Sequence, residues 1–279
     1  ALVNLKVLNI TNTGVSQDTL KTISSFTKLS ELTLNNCGIS SITPLSSCIN
    51  ITKLDLSNNA IVTVNALSAL TQLEELNLSS NTVTNISPLS AVTAIKTLDI
   101  SSNAISSLTP LSGLTRLTWV DASTNQITEI GELSQLSALT YLALNSNQLT
   151  SLSGLESCSA LEELSVSSNT LTDITAAAGL QNLMRFDFSY NQVADLPQFQ
   201  RTCSLVTIDG SSNQLSSLDA LSGLESLNNV HMDYNTEISS VKALADCPVL
   251  IEVNVYATKV TDVTALTNQS IIVNFNPVQ

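Results

Sequence analysis

Nine asparagines recur along the chain at an unbroken spacing of 22 residues. They are Asn59, Asn81, Asn103, Asn125, Asn147, Asn169, Asn191, Asn213 and Asn235. Each stands in the same apolar frame, which around Asn81 consists of Leu73, Leu76, Leu78, Val83, Ile86, Leu89 and Val92. A fixed period of this length indicates a solenoid of stacked coils. We expect each asparagine to satisfy backbone groups at a sharp buried turn, because its amide offers two donors and an acceptor.

The apolar frame divides the chain into twelve repeats. Their first residues are Leu5, Leu29, Ile51, Leu73, Ile95, Leu117, Leu139, Leu161, Leu183, Leu205, Leu227 and Leu250. Within each repeat, positions 3 to 8 alternate between apolar and polar residues, which predicts a strand with one buried face. Pro44, Pro88 and Pro110 all stand at position 16, where a fixed φ suits the first turn of a short 3₁₀ segment. The rest of each repeat is too short for a full α-helix.

The repeated residues match the consensus L-x-x-L-x-L-x-x-N-x-L of leucine-rich repeats. This resemblance implies an α/β solenoid of about 12 repeats, a leucine-rich-repeat horseshoe with a parallel concave β-sheet and short 3₁₀ or irregular convex segments. We predict a single leucine-rich-repeat domain over residues 1–279, with repeats over residues 5–266 and a terminal strand or cap over residues 267–279. No polar cap precedes Leu5, so we expect a cap or a further domain upstream.

The linkers that follow the asparagines narrow the resemblance. The segments Ile86-Ser-Pro-Leu-Ser and Leu108-Thr-Pro-Leu-Ser-Gly-Leu-Thr resemble those of bacterial internalin-type repeats, and the resemblance covers residues 5–266. Internalins are secreted or wall-attached proteins whose concave faces bind host-cell receptors. The resemblance therefore implies an extracellular or cell-surface adhesion module. Leucine-rich-repeat regulators of a protein phosphatase carry a similar repeat, so an intracellular scaffold or regulatory subunit in the cytoplasm is the alternative.

Charge restricts the kind of partner. The net charge is −13 and the pI is near 4.2, which disfavours nucleic acid and anionic membranes, because both attract basic surfaces. No stretch approaches the roughly 20 continuous apolar residues of a membrane helix. We expect a monomer that binds a protein or glycoprotein ligand, with a basic patch on the partner facing the acidic sheet.

The residues that could perform chemistry are few. His231 is the only histidine, no Cys-x-x-Cys spacing occurs, and neither common phosphate-binding glycine motif is present. We therefore predict no catalytic residues, no metal site, no cofactor and no enzyme activity. Cysteine pairs such as Cys158 and Cys203 lie two coils apart, about 10 Å, beyond the roughly 7 Å that a disulfide spans. All five cysteines are predicted to be buried thiols that act as small apolar side chains.

The polar positions of the strand define the predicted binding surface. Positions 3, 5 and 7 point away from the core, and large side chains concentrate there in repeats 6 to 12. The predicted binding residues on the concave face are Trp119, Asp121, Tyr141, Arg185, Asp187, Tyr190, His231, Asp233, Tyr234 and Tyr256. Tryptophan, tyrosine and arginine dominate the binding energy of many interfaces. The alternative is that these aromatic side chains only pack against their cross-strand neighbours.

Two further expectations concern the small polar residues of the same surface. Serine, threonine, asparagine and aspartate fill most of these positions in the N-terminal half, which predicts a spacer or a weaker binding surface there. Asp55, Asp99 and Asp121 at position 5 are predicted to be solvated carboxylates and not a ladder of metal ligands.

Overall fold

The short strands of the repeats are the main regular elements. The computed structural model describes residues 4–276 except for the Glu132 side chain, and this part of the chain contains thirteen strands in sequence order. They are β1 (Val7–Thr11), β2 (Glu31–Asn35), β3 (Lys53–Asp55), β4 (Glu75–Asn77), β5 (Thr97–Asp99), β6 (Trp119–Asp121), β7 (Tyr141–Ala143), β8 (Glu163–Ser165), β9 (Arg185–Asp187), β10 (Thr207–Asp209), β11 (Asn229–His231), β12 (Glu252–Tyr256) and β13 (Ile272–Asn276).

Short 3₁₀ segments occupy the other side of most repeats. They are Thr43–Ser47, Asn65–Ala69, Ser87–Ala91, Thr109–Leu111, Gly131–Gln135, Thr175–Gly179, Asp219–Leu221 and Lys242–Asp246. Proline stands in the first turn of the three segments that contain Pro44, Pro88 and Pro110, as predicted from its fixed φ and missing N–H. The described residues also form two short α-helices, α1 (Gln17–Ile23) and α2 (Thr264–Thr267).

Helix α1 differs from the prediction that no α-helix would fit in a repeat. It lies in the first repeat, which is 24 residues long. Ser16 caps its N-terminus by accepting a hydrogen bond from the backbone N–H of Thr19 at 3.1 Å. Asp18 in the first turn and Lys21 in the last turn suit the helix dipole. The two extra residues provide the length for a helix, and the cap and the charged residues stabilise its ends. A 22-residue repeat is shorter and forms a 3₁₀ turn instead.

The chain divides into two compact units, Ala1–Tyr141 (unit 1) and Leu142–Gln279 (unit 2). In unit 1, strands β1 to β6 pair in parallel with the strand one repeat away. In unit 2, strands β8 to β13 pair in the same way. This register places equivalent positions of successive repeats side by side, as a leucine-rich-repeat solenoid requires. The solenoid fold is confirmed, whereas the single domain over residues 1–279 stays a prediction, and residues 277–279 of its terminal segment lie outside the described part.

The predicted apolar frame forms the core. Every residue of the frame around Asn81 is at most 2% exposed. The amide of Asn81 donates to the carbonyl oxygens of Leu56 at 3.0 Å and Leu78 at 2.9 Å, and it accepts from the N–H of Ile61 at 3.0 Å. One side chain therefore satisfies backbone groups of its own coil and of the preceding coil. No buried side-chain nitrogen or oxygen among the described residues lacks a hydrogen-bond partner.

Most strands are shorter than the predicted span of positions 3 to 8. Strands β3 to β11 cover positions 3 to 5 only. At position 5, Asp55 accepts from the N–H of Ser57 at 2.9 Å, and Asn77 accepts from the N–H of Ser79 at 2.8 Å. Position 8 then adopts the left-handed conformation, with φ of 57° at Asn58. A left-handed residue cannot continue a strand. The alternation of apolar and polar residues at positions 6 to 8 therefore indicates which side chains are buried, but these positions do not form a strand.

The five cysteines are all buried thiols, as predicted. Cys37 stands at position 9 of its repeat, the position that the asparagines spaced by 22 residues (the ladder asparagines) occupy in later repeats. Its Sγ lies 3.3 Å from the carbonyl oxygen of Ile10 and 3.4 Å from that of Asn35. The thiol thus donates toward carbonyl oxygens of the kind that an asparagine amide would contact. Burial raises the pKa of Cys48 and of Cys158 to about 11.

Candidate functional site

The position-3 and position-5 side chains line the sheet face of each unit, with exceptions. Most are exposed or half-buried, but Ala143 at position 5 is 2% exposed. At position 7, Ser57 and Ser189 are buried as well, because the turn after each strand directs their hydroxyls back to the carboxylates of Asp55 and Asp187. These three residues are therefore not part of the exposed surface, although positions 5 and 7 were predicted to point away from the core.

The acidic residues at position 5, predicted to be solvated carboxylates, also have a structural role. Oδ1 of Asp99 accepts from the N–H of Ser101 at 3.0 Å and from its hydroxyl at 2.7 Å. Asp55 makes the same pair of bonds with Ser57, and Asp121 accepts from the N–H of Ser123 at 2.9 Å. The carboxylates are half-buried and held in one orientation, because each closes the turn that ends its strand.

A groove of about 370 Å³ runs along the sheet face of unit 1 over strands β2 to β6. Its lining includes Glu31, Lys53, Asp55, Glu75, Asp99 and Trp119. Of these residues only Trp119 belongs to the binding surface predicted from the sequence, because the N-terminal half was expected to be a spacer or a weaker surface. The neighbouring charges of Glu31, Lys53 and Glu75 at position 3 were the available signal, since opposite charges in adjacent repeats predict a cross-strand ion pair.

That ion pair is present. Lys53 Nζ lies 2.8 Å from Glu75 Oε1, and the strand register makes the two residues direct neighbours. The hydrogen bond to Glu75 raises the pKa of Lys53 above its ordinary value. The only ammonium group of the groove lining is therefore already bound to a carboxylate of the same groove.

Trp119 lies at the C-terminal end of the groove and packs against Tyr141. The rings of Trp119 and Tyr141 stack with centroids 5.0 Å apart and planes 7° from parallel. Trp119 lines the groove, and its in-register neighbour on β5 is the small residue Thr97. One face of the indole thus packs on tyrosine, while the ring forms a wall of the groove.

In unit 2, the predicted residues Arg185 and Asp187 occupy strand β9. Arg185 is 71% exposed in its side chain, and its Nε lies 3.7 Å from Glu163 Oε1 on β8. Asp187 accepts from the N–H of Ser189 at 3.0 Å and from the hydroxyl of Ser165 at 3.3 Å. Arginine is therefore the displayed group of this strand, and the aspartate is largely committed to neighbouring serines.

Three tyrosines form the most exposed aromatic surface of unit 2. Tyr190, Tyr234 and Tyr256 are 63%, 54% and 46% exposed. Tyr234 and Tyr256 meet edge to face, with ring centroids 5.8 Å apart. Tyr190 and Tyr234 stand at position 8 with φ of 54° and 58°, where the other repeats carry only small residues or asparagine. The turn at position 8 therefore projects two large aromatic side chains into solvent.

The remaining predicted residues, His231 and Asp233, support this part of unit 2. Asp233 Oδ1 accepts from the N–H of Tyr256 at 2.6 Å. His231 Nδ1 lies 2.7 Å from Asn254 Nδ2, and Asn254 Oδ1 in turn accepts from the amide of Asn274 at 2.6 Å. Since the Nδ2 group of an asparagine can only donate, Nδ1 of His231 is the acceptor in this pair. The imidazole is held by an amide network and not by a carboxylate–serine pair.

Metal binding and membrane insertion are properties that side-chain clusters or long apolar helices would indicate. Residues 4–276, without the Glu132 side chain, contain no group of three or more His, Cys, Asp or Glu placed to hold a metal ion. Within the same described part, no helix has the length and hydropathy needed to cross a membrane.

Comparisons with known proteins agree with the repeat pattern. A family model described as leucine-rich repeats (2 copies) matches residues 49–91, 71–113, 115–157 and 137–201, which together cover more than half of the chain. No curated protein sequence is detectably similar to the chain. Among solved structures, an internalin (InlF) of Listeria monocytogenes is similar with 25% identity and a TM-score of 0.88, covering 100% of this chain and 88% of its own.

Two further solved structures are similar. An internalin C2 of Listeria monocytogenes shares 31% identity with a TM-score of 0.60, covering 76% of this chain and 82% of its own. The plant peptide hormone receptor RGFR1, in complex with RGF2, shares 17% identity with a TM-score of 0.78, covering 99% of this chain and 52% of its own. Leucine-rich-repeat proteins of the internalin type are protein-binding modules, and their fold is generally a non-enzymatic scaffold. The chain belongs to the leucine-rich-repeat family and is of the internalin type.

Proposed function

We propose that the chain is a non-enzymatic recognition module that binds a protein or glycoprotein ligand through the sheet faces of its units. The observation that carries this proposal is the display of Tyr190, Tyr234 and Tyr256, each more than 40% exposed. Large aromatic side chains in water cost free energy unless a partner covers them, and tyrosine is enriched among residues that dominate interfaces. Arg185 on β9 and the stacked pair of Trp119 and Tyr141 add anchors of the same kind.

The conformation of Tyr190 and Tyr234 supports a binding role over simple packing. A bulky residue at positive φ is uncommon, and Tyr190 makes no ring contact with another aromatic side chain of the described residues. Cross-strand packing therefore explains Tyr256 and Tyr234 in part but does not explain Tyr190. A partner that buries all three rings would account for their placement.

Secretion or display on a bacterial surface, with a role in adhesion, is the finer part of the proposal. Its support is the similarity to Listeria internalins. The acidic composition favours a partner with a basic patch. The cytoplasmic scaffold remains the second candidate, because five buried thiols suit a reducing compartment. Fractionation of the source cells decides between them: the protein in the medium or wall fraction supports display, and protein confined to the cytosol contradicts it.

The binding proposal is tested by screening the purified protein against purified receptor ectodomains and measuring Kd for each confirmed ligand. Replacing an anchor, as in Tyr234→Ala, Arg185→Ala or Trp119→Ala, is expected to weaken binding by about 2 kcal/mol, or about 30-fold, if that unit carries the interface. Ser157→Ala, at an exposed position in the segment after β7, is the control and is expected to leave Kd unchanged.

The outcome that contradicts the proposal is a ligand whose affinity depends on Ser157 and neighbouring exposed residues while all three anchor variants bind like the unchanged protein. We also propose that the free protein is a monomer, and light scattering tests this state. A concentration-independent mass of 29.6 kDa is expected.

A further inference from the structure

The geometry points to an arginine-binding groove on the sheet face of unit 1, in which a guanidinium group of a protein partner stacks on Trp119 and pairs with Asp99. This inference rests on the proposed function and deepens it, because it names a chemical group that the sheet face selects. Four properties of the groove carry it: charge, fixed acceptors, an aromatic wall and open space before that wall.

The groove is strongly acidic for its size. Its lining contains the carboxylates of Glu31, Asp55, Glu75 and Asp99 and a single ammonium group, that of Lys53. Four negative charges and one positive charge leave a net charge of −3. Lys53 is already paired with Glu75 at 2.8 Å, and no other cationic side chain of the described residues lines the groove. A cationic ligand is complementary to this surface, whereas a phosphate would be repelled by it.

The acceptors of the groove floor are fixed before any ligand arrives. Asp55 and Asp99 each use Oδ1 to bind the N–H and the hydroxyl of the serine two residues on. These bonds occupy one oxygen of each carboxylate and restrict rotation of the group. A ligand that donates to the other oxygen therefore does not need to order a mobile side chain, which lowers the cost of binding.

The two carboxylates do not compete for one small ligand. Asp55 lies on β3 and Asp99 on β5, with Asn77 of β4 between them. At the usual spacing of about 4.8 Å between strands they are about 10 Å apart. A single guanidinium group cannot reach both. Asp99 is the one near the aromatic wall, because the register pairs Asp99 with Asp121, two residues beyond Trp119.

Trp119 provides a stacking surface for a planar cation. Tyr141 covers one face of the indole, which holds the ring at a fixed tilt, and the ring lines the groove. Thr97, the in-register neighbour of Trp119 on the groove side, is too small to fill the space before the ring. A guanidinium group fits there better than an ammonium group, because it is planar, weakly hydrated and able to stack and donate to a carboxylate at once.

The same features argue against a neutral sugar as the primary ligand. Stacking on tryptophan would also suit a sugar ring, but a neutral ligand would gain nothing from the net charge of the groove. A protein segment that presents arginine uses the ring, the fixed carboxylate and the charge together. Binding of a neutral glycan in place of arginine would contradict the inference, and the experiment includes a neutral sugar for that reason.

Trp119 is the only tryptophan of the chain, so its fluorescence reports on this groove alone. The test titrates the full chain with the peptide acetyl-Gly-Gly-Arg-Gly-Gly-amide and, separately, with the same peptide carrying neutral citrulline in place of arginine. A saturable fluorescence change is expected for the arginine peptide, with binding at least about tenfold weaker for citrulline. Raising NaCl from about 20 to about 200 mM is expected to weaken arginine binding severalfold, because salt screens charges at the surface.

Matched variants locate the cation. Asp99→Asn is expected to weaken binding of the arginine peptide at least about fivefold by removing the charged acceptor. The fold tolerates asparagine there, since Asn77 fills the same slot and makes the same two bonds with Ser79. Asp209→Asn is the control, because Asp209 holds the equivalent slot of unit 2 and bonds the N–H of Ser211 at 2.9 Å. Its peptide affinity is expected to be unchanged.

Three results would overturn the inference. They are equal binding of the arginine and citrulline peptides, equal affinities of the Asp99→Asn and Asp209→Asn variants, and a fluorescence response to neutral maltohexaose but not to the arginine peptide. The inference and the proposed function fail separately. If the peptide does not bind but anchor variants still weaken a receptor ectodomain, only the groove is wrong. If the peptide binds but the ectodomain depends on residues outside the sheet faces, only the proposed function is wrong.

Discussion

At the scale of single residues, the ladder asparagines replace hydrogen bonds that a tight coil cannot make with its own backbone. We predict that Asn81→Ala lowers the free energy of unfolding by about 1–3 kcal/mol, because it strands the Leu56 carbonyl, the Leu78 carbonyl and the Ile61 N–H in the core. Urea denaturation followed by circular dichroism measures the change. Asn65→Ala is the matched control, since Asn65 is exposed. Equal midpoints for the two variants would refute the structural role of the ladder.

The buried cysteines give the protein a specific response to alkaline pH. Burial raises the pKa of Cys48 and Cys158 to about 11 from 9.0. The unfolded chain therefore loses these protons above pH 9 while the folded chain keeps them to about pH 11. Their contribution to stability is complete below pH 9 and is lost as the pH rises from 9 to 11.

We accordingly predict a lower urea midpoint at pH 10 than at pH 8. The double variant Cys48→Val and Cys158→Val should lose less stability over this interval, because valine has no proton to release and occupies the equivalent slot at Val92. Native thiols should also react slowly with a thiol reagent at pH 8, since the thiolate is the nucleophile. An identical pH dependence in the double variant would show that burial of these thiols is not responsible.

At the scale of elements, a large side chain in one repeat is accommodated by a small residue at the same position of the next repeat. Phe188, Gly210 and Met232 occupy position 6 of three successive repeats. A Cβ at Gly210 would clash with Phe188 Cζ and lie 2.9 Å from Met232 Sδ. Glycine is thus required in one coil because phenylalanine fills the space from the coil before it.

We predict that Gly210→Ala lowers the free energy of unfolding by about 1–3 kcal/mol through this overpacking. Adding Phe188→Leu should restore part of the loss, because leucine is the common residue at this position and its side chain is smaller. Gly113→Ala is the control, since a Cβ there meets no atom within 4 Å. If the double variant is no more stable than Gly210→Ala alone, the two residues do not share one space.

The elements show what sequence periodicity can and cannot predict. The 22-residue spacing predicted the parallel strands, the proline-started 3₁₀ segments and the asparagine ladder, because each depends on a residue type that recurs at a fixed position. Periodicity overestimated strand length, since alternation reports burial and the turn at position 5 depends on local side-chain bonds such as that of Asp55. It missed α1, whose cap at Ser16 occurs once and in a repeat of unusual length.

At the scale of the molecule, sequence position indicates which side chains face the sheet surface but not the shape of that surface. Trp119 and the exposed tyrosines could be assigned to the sheet face from their positions alone. The groove of unit 1 could not, because it arises from the relative sizes of Glu75, Thr97 and Trp119 in three consecutive repeats. Asp187 and Asp233 accept hydrogen bonds from neighbouring groups. Their sequence positions did not predict these bonds, because the bonds depend on the geometry of the turns.

Net charge is a property of the whole chain, and it should govern how stability depends on salt. The chain carries 23 acidic and 10 basic residues, for a net charge of −13. Its ion pairs have side chains at least 39% exposed among the described residues, and such pairs contribute about 0–1 kcal/mol each. Repulsion among the excess carboxylates therefore outweighs the attraction lost on screening.

We predict that the midpoint of thermal unfolding rises by a few degrees when NaCl is increased from about 20 to about 200 mM, because the Debye length falls from roughly 20 to under 10 Å. Circular dichroism at constant protein concentration measures the midpoint. The triple variant Glu129→Gln, Asp195→Asn and Glu225→Gln changes three exposed residues and brings the net charge from −13 to −10. Its midpoint should rise less with salt than that of the unchanged protein. A midpoint that falls with salt would mean that the exposed ion pairs, and not the net charge, dominate the electrostatics of this solenoid.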